Sequence, residues 1–161
     1  MKLAFASSWP LAATMVFDRL YHPNLRQTVA QKRDVLRTAI TVWMYDASRR
    51  ALIGEAYGTP AEDAMDGGEG DDDIGRYRGR TAFYVYSTTI LPRFQGRRLG
   101  TILKAHHLGL IRQAGFRVVI GHAREGASVA LNVGFGATLL TRHPDWHRTG
   151  EGYRFYELGL R

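Results

Sequence analysis

Cysteine is missing from all 161 residues, which excludes disulfide staples, thiolate nucleophiles and cysteine-ligated zinc. That absence fits a reducing, cytoplasmic setting, which is where the chain is expected to work. Long apolar runs are missing too. None approaches the roughly 18–20 residues that a membrane span needs, so no membrane partner is expected. The apolar start, Met1–Phe17, superficially resembles an export leader, but Trp9-Pro10 interrupts it. Asp18 and Arg19 then follow without a small-x-small cleavage site, so no leader is read here.

Acid is scarce and unevenly spread. Ala61 to Gly75 holds seven acids and neither Lys nor Arg, which leaves 22 basic residues against 8 acidic ones elsewhere, a net +14. A surface this basic suits phosphate, nucleic acid or acidic protein, and it also suits plain solubility around a cofactor groove. With 45% hydrophobic and 23% charged residues, the chain is expected to form one globular domain over 1–161. The acidic stretch 61–75 reads as a mobile loop, rich in Gly and Asp and unable to form a core.

Trp9 to Tyr21 reads as a helix, broken at His22-Pro23-Asn24. Asn24 is placed to cap a second helix from about Leu25 to Ala39. Ile40–Tyr45 and Ala51–Tyr57 read as a hairpin turned at Asp46–Arg50. Thr81–Leu91 is dense in aromatic and β-branched residues and apolar on both faces, as a central strand would be. A helix follows from about Arg97 to Ala114, with Leu99, Ile102, Leu103, His106, Leu110 and Ala114 as its apolar stripe. His106 on that stripe reads as a core histidine. Gly115 ends the helix and Phe116–Ile120 forms the next strand. Strand, short crossover helix, strand implies a parallel pair. A short helix near Ala127–Val133 and two strands near Ala137–Arg142 and Tyr153–Leu160 complete the chain.

The most informative stretch is Ser87 to Leu103. A strand end, a donor-rich turn and a helix start leave unpaired N–H groups aimed at one spot, a ready site for pyrophosphate. The residues alone also allow a plainer reading, in which Gly96 and Gly100 only permit a tight turn.

Ile90-Leu-Pro-Arg-Phe-Gln-Gly-Arg-Arg-Leu-Gly-Thr101 resembles the acetyl-CoA signature of the GNAT N-acetyltransferase superfamily. That signature is Gln or Arg, two residues, Gly, one residue, then Gly or Ala. Gln95 fills its first position and Gly100 its last, and Arg98 stands where the family has a glycine. Asn132-Val-Gly-Phe135 resembles the family's second signature, and the resemblance runs in order from about Ile40 to Leu160.

The resemblance implies an α/β (α+β) fold, with a mixed, mostly antiparallel sheet flanked by helices. Its central parallel strand pair would splay around the cofactor. Backbone groups of Thr89, Ile90 and Leu91 would pair with the pantetheine amides of acetyl-CoA. N–H groups of Gly96, Arg97, Arg98, Leu99, Gly100 and Thr101 would cradle its pyrophosphate, while Asn132 could reach the cofactor arm or simply help close its helix.

Family members often take the proton for the leaving thiolate from a tyrosine four residues before the Gly-Phe pair; here that position is Ala130. The glutamate that some relatives carry on the central strand is also missing. His122, at the carboxyl end of the parallel strand, is the candidate base, and Ser128 is a second candidate that could equally cap its helix. Tyr84 and Tyr86 offer a proton relay or simple packing, and Glu55 is a further base. His143, Asp145 and His147 lie in an irregular loop without ligand spacing, so no metal site is expected there; with Trp146 they suit the acceptor-side rim.

The expected activity is direct transfer of acetyl from acetyl-CoA to a primary amine, since no thiol is present for an acyl-enzyme. The acceptor is an acidic protein, an aminoacyl-tRNA or a small molecule, and a second copy of the chain is among the expected partners. The alternative is a non-catalytic acyl-CoA sensor or interaction module with a basic surface.

Overall fold

The computed structural model describes residues 1–64 and 68–160. Seven strands form one sheet in the order β1-β2-β3-β4-β5-β7-β6. The strands are β1 (Leu3–Ala6), β2 (Ile40–Asp46), β3 (Ala51–Pro60), β4 (Ala82–Ile90), β5 (Val118–Arg124), β6 (Thr138–His143) and β7 (Tyr153–Gly159). The helices are α1 (Leu11–Asp18), α2 (Val29–Leu36), α3 (Asp71–Gly75), α4 (Leu99–Gln113) and α5 (Ala127–Gly134). β4 and β5 pair in parallel, Ala82–Tyr84 with Val118–Ile120, whereas β1–β2, β2–β3, β5–β7 and β6–β7 are antiparallel. This is the expected mixed sheet with one parallel junction.

The chain divides into two compact units. The first comprises Met1–Gly58 and Ser87–Leu110. Its core gathers Val42, Met44, Ile53, Ala56, Ile90, Leu99 and Leu103, with Leu3, Phe5, Phe94 and Leu110 packed against them. β1 was not anticipated from the sequence. Four residues rich in alanine carry little strand signal, and the element exists because Leu3 and Phe5 reach this core while their backbone pairs with Asp46 and Met44. The second helix starts later than expected. Thr28 caps it: its hydroxyl accepts from Gln31 N–H, and the Gln31 amide oxygen accepts from Thr28 N–H. That reciprocal box fixes the start, and Pro23–Leu25 forms a separate 3-10 turn.

On α4 the buried face carries Leu99, Leu103, Lys104 and His107, one turn apart or adjacent. His106 is therefore not the core histidine. It is exposed and stacks on Phe5 at 4.2 Å, while His107 is wholly buried with Nε2 2.9 Å from the Ile40 carbonyl. Burial pushes the His107 imidazole down to about 3, so it stays neutral. Ile102, also assigned to the stripe, is exposed.

The second unit comprises Thr59–Tyr86 and Ile111–Arg161. Its core gathers Ala61, Ala64, Ile74, Tyr77, Ala82, Tyr84, Ile120 and Phe155. Three of those residues lie in the acidic stretch, contrary to the expectation that it contributes nothing to a core. Around the acids, Ala61 and Ala64 are buried, Asp71–Gly75 is helical, and both Asp73 and Ile74 are inside. Residues 65–67 of the stretch lie outside the described residues. The register of β6 against β7 shifts between Leu139 and Arg142. Among the described residues, no helix is long and apolar enough to cross a membrane.

Candidate functional site

The turn at the end of β4 is set by its backbone. Leu91 N–H donates to the Ile53 carbonyl at 2.9 Å, and Thr89 O lies 2.8 Å from where a Cβ on Gly54 would sit. Residues 89 and 91 thus face β3, and by strand alternation Ile90 presents its N–H and C=O to the opposite edge. The Ile90 carbonyl accepts from Gln95 Nε2 at 2.9 Å. That contact folds the turn back onto the strand, with Pro92–Phe94 as one 3-10 turn between them.

Gly96 then takes φ +75° and Arg98 takes φ +58°. The left-handed conformation at 98 is the one a glycine adopts without penalty, and here a residue with a Cβ adopts it. Ile102 N–H donates to Arg98 O at 3.3 Å, which starts α4 directly after the turn. The first-turn N–H groups of a helix have no partner within it, so this end of α4 presents donors and the positive pole of its dipole. Arg97 and Arg98 add charge beside them. The strand–turn–helix expected from the sequence is present.

Two buried polar groupings in the same unit carried no sequence signal. Tyr21 OH lies 2.7 Å from Ser87 Oγ and 2.6 Å from Thr89 Oγ1, and those two hydroxyls are 2.9 Å apart. Burial pushes the Tyr21 phenol up to about 12. Lys32 Nζ, fully buried, donates to Asp18 at 2.9 Å and to Glu55 Oε1 at 2.8 Å, while Trp43 Nε1–H donates to Glu55 Oε2 at 3.3 Å. Two carboxylates face one ammonium, and burial lifts the Glu55 carboxyl to about 7 against the pull of Lys32. Glu55, read as a base on a strand edge, instead sits inside this ion cluster.

The remaining sequence candidates lie in the second unit. His122 has both ring nitrogens engaged: Nδ1 is 2.9 Å from Tyr84 OH, and Nε2 is 3.3 Å from Asp73 Oδ2. Its ring stacks on Trp146 at 4.1 Å, and burial lowers its pKa to about 4. Tyr84 thus does more than pack, through its bond to His122.

Ser128 is exposed in the first turn of α5, where Gly126 is the N-cap and no side chain caps the helix. The Ser128 carbonyl accepts from Asn132 Nδ2 at 2.8 Å. Asn132 Oδ1 is buried and has no hydrogen-bond partner among the described residues, which leaves an acceptor for an incoming donor. Ala130, at the position of the family tyrosine, is exposed.

Of the loop residues, Asp145 accepts from Gly150 N–H at 2.7 Å and the His147 backbone N–H donates to Glu69. His143 reaches inward, with Nε2 2.8 Å from Asp73 Oδ2, beside the buried Trp146.

No protein family and no curated protein matches the chain by sequence. Solved structures match along almost its whole length. The ribosomal-protein-S18-alanine N-acetyltransferase of Escherichia coli is similar at 13% identity and a TM-score of 0.74, over 98% of this chain and 94% of that one. Arabidopsis thaliana NAA60 in complex with acetyl-CoA is similar at 13% identity and a TM-score of 0.75, over 99% of each chain. The yncA protein of Salmonella typhimurium, with its cofactor acetyl-CoA, is similar at 17% identity and a TM-score of 0.67, over 100% and 95%. The chain therefore has the fold of the GNAT acetyltransferases.

Proposed function

We propose that the protein is an acetyl-CoA-dependent N-acetyltransferase that acts on a primary amine. One observation carries the reading: Arg98 holds the left-handed backbone at the place of the signature glycine, directly ahead of α4. A left-handed backbone is one that a glycine at that place adopts without penalty, so the departure in sequence is compatible with a glycine-type turn. In this reading Gly96 to Thr101 bind the pyrophosphate through backbone N–H groups, with Arg97 and Arg98 supplying charge. The pantetheine arm pairs with Ile90 on the edge of β4 that faces away from β3. Thr89 and Leu91 support that edge through their contacts to β3, and Gln95 holds it in place. Structures of similar fold hold acetyl-CoA, which supports the same donor here.

The transfer is direct. The amine nitrogen attacks the thioester carbonyl and forms a C–N bond. The tetrahedral oxyanion collapses, the C–S bond breaks, and the CoA sulfur leaves with a proton while the nitrogen gives one up. His122, tied to Asp73 and Tyr84, has no open ring nitrogen for the base role, and Ser128 keeps an exposed hydroxyl. The similar Escherichia coli enzyme is named for an alanine of ribosomal protein S18, which makes protein α-amines the first acceptors to assay. The basic surface favours acceptors with acidic neighbours or a nucleic-acid moiety.

Titration calorimetry with acetyl-CoA tests donor binding, and absence of binding at millimolar ligand overturns the proposal. Thiol release across amines, lysine and N-terminal peptides and aminoacyl-tRNA then tests transfer. Tight binding without release on any acceptor selects the non-catalytic sensor, a reading favoured by Ala130 in the tyrosine's place.

A further inference from the structure

We propose that Asp73, His122 and His143 form a site for a divalent cation of the zinc class, ligated by Asp73 Oδ2 and the Nε2 atoms of both histidines. These three atoms lie within 4.8 Å of one another, with Oδ2 at 3.3 Å from His122 Nε2 and 2.8 Å from His143 Nε2. A tetrahedral ion with bonds of about 2.0–2.1 Å holds its ligands about 3.3 Å apart, so small side-chain shifts admit it. Two imidazoles and one carboxylate make a donor set suited to zinc.

The atoms that face away from this centre are held as outer-shell partners hold them. Thr141 Oγ1 donates to Asp73 Oδ1 at 2.8 Å, which turns Oδ2 inward. Tyr84 OH meets His122 Nδ1, so that nitrogen is provided for and Nε2 is the one presented. With the ion bound, the His122 proton resides on Nδ1 and the phenol oxygen accepts it, leaving the Nε2 lone pair for the metal. Without the ion, both Nε2 atoms must carry protons to share the single oxygen Oδ2.

Access and enclosure also fit. The Asp73 and His122 side chains are 3% and 2% exposed, whereas His143 is 17% exposed and gives an entry path. The indole of Trp146 lies 4.1 Å from His122 and 4.8 Å from His143, ring centre to ring centre, and encloses the site. Arg76, its Nη1 3.5 Å from Asp73 Oδ1, is a nearby cation with an exposed side chain that can swing into solvent. The three ligands come from α3, β5 and β6, 49 and 70 residues apart in sequence, so the ion would cross-link the acidic segment to the sheet.

The test uses the full, untagged chain, freed of metal with a chelator and titrated with Zn2+ against a chromophoric competitor. The expected result is one ion per chain with micromolar affinity or better. The melting temperature should rise by roughly 5–10 °C at 100-fold excess over the Kd. Co2+ should give the intense visible bands of a four-coordinate N/O site. His143→Ala and Asp73→Asn should each weaken binding at least tenfold, while His147→Ala keeps it. Absence of stoichiometric uptake by the wild type, or uptake unchanged in His143→Ala, overturns the proposal. Should those variants fail to fold, the wild-type Co2+ spectrum decides, and weak bands of an octahedral aquo ion overturn it.

Discussion

Gln95 Nε2 donates to the carbonyl of Ile90 at 2.9 Å, and that bond ties the turn after β4, the proposed pyrophosphate site, to the strand it leaves. Gln95→Ala removes the tie and lets the last peptide of β4 move. Acetyl-CoA affinity should fall by roughly three- to tenfold, the worth of one hydrogen bond, with little change in melting temperature. Gln95→Glu should fall further, because its carboxylate cannot donate to Ile90 and repels the pyrophosphate. Calorimetric Kd values of the three proteins check this.

Arg98 combines a backbone role with a charge, and two substitutions separate them. Its φ of +58° strains any residue with a Cβ. Arg98→Gly should be more stable than Arg98→Ala by about 1 kcal/mol in denaturant unfolding. Both lose the guanidinium, so both should lose acetyl-CoA affinity to a similar extent. Equal stability of the two variants would show that the position carries no strain.

Gly54 keeps β3 close to the strand end. A Cβ there would lie 2.5 Å from Ile90 Cδ1, 2.8 Å from Thr89 O and 3.1 Å from Leu103 Cδ2. Ile90 can rotate, but the carbonyl is backbone and cannot yield cheaply. Gly54→Ala should therefore destabilise by about 1–3 kcal/mol and, on the proposed function, also weaken acetyl-CoA binding, since the displaced backbone is the edge proposed to pair with the cofactor. Urea unfolding and calorimetry read the two effects separately.

The Asp18–Lys32–Glu55 cluster predicts an unusual pH slope. Burial raises Glu55 to about 7 in the folded chain. An unfolded glutamate releases its proton near 4.3, so between these values the folded state holds more protons. This group's stabilisation is complete below the unfolded pKa, is lost as pH rises toward 7, and changes little beyond. His107, held neutral by burial at about 3, works in the opposite direction below pH 6.5. Glu55→Gln removes only the first contribution. The difference in unfolding free energy between Glu55→Gln and wild type should shift in the variant's favour from pH 5 to pH 7.5; a constant difference would contradict it. The slope is the quantity to read, because the new amide nitrogen meets Trp43 N–H and shifts the absolute values.

The sequence made the chain's centre readable and its margins less so. Thr81 to Ala114 announces itself through dense β-branched and aromatic residues, a glycine-bearing turn and helical periodicity, all of which are local. β1 escaped because four residues of Leu, Ala and Phe carry no periodicity, and its reason lies in the core they touch. α3 escaped because an acidic, glycine-rich stretch looks unable to fold, although Ala61, Ala64 and Ile74 supply apolar anchors between the acids. His106 reads as the core histidine in place of His107 because a stripe drawn through Ile102 and His106 sits about one position off the buried face. The meeting of Asp73 with His122 and His143 was beyond reach, since no spacing rule links residues 49 and 70 positions apart. His143, Asp145 and His147 are close in sequence, yet the fold sends them to three different partners.

The register shift in β6 bears on how copies of the chain can meet. β6 is an outer strand of the sheet, and its pairing with β7 slips between Leu139 and Arg142. An irregular border of this kind twists locally and breaks the even row of amides that a visiting strand would need. Sheet-to-sheet polymerisation is therefore discouraged along that border.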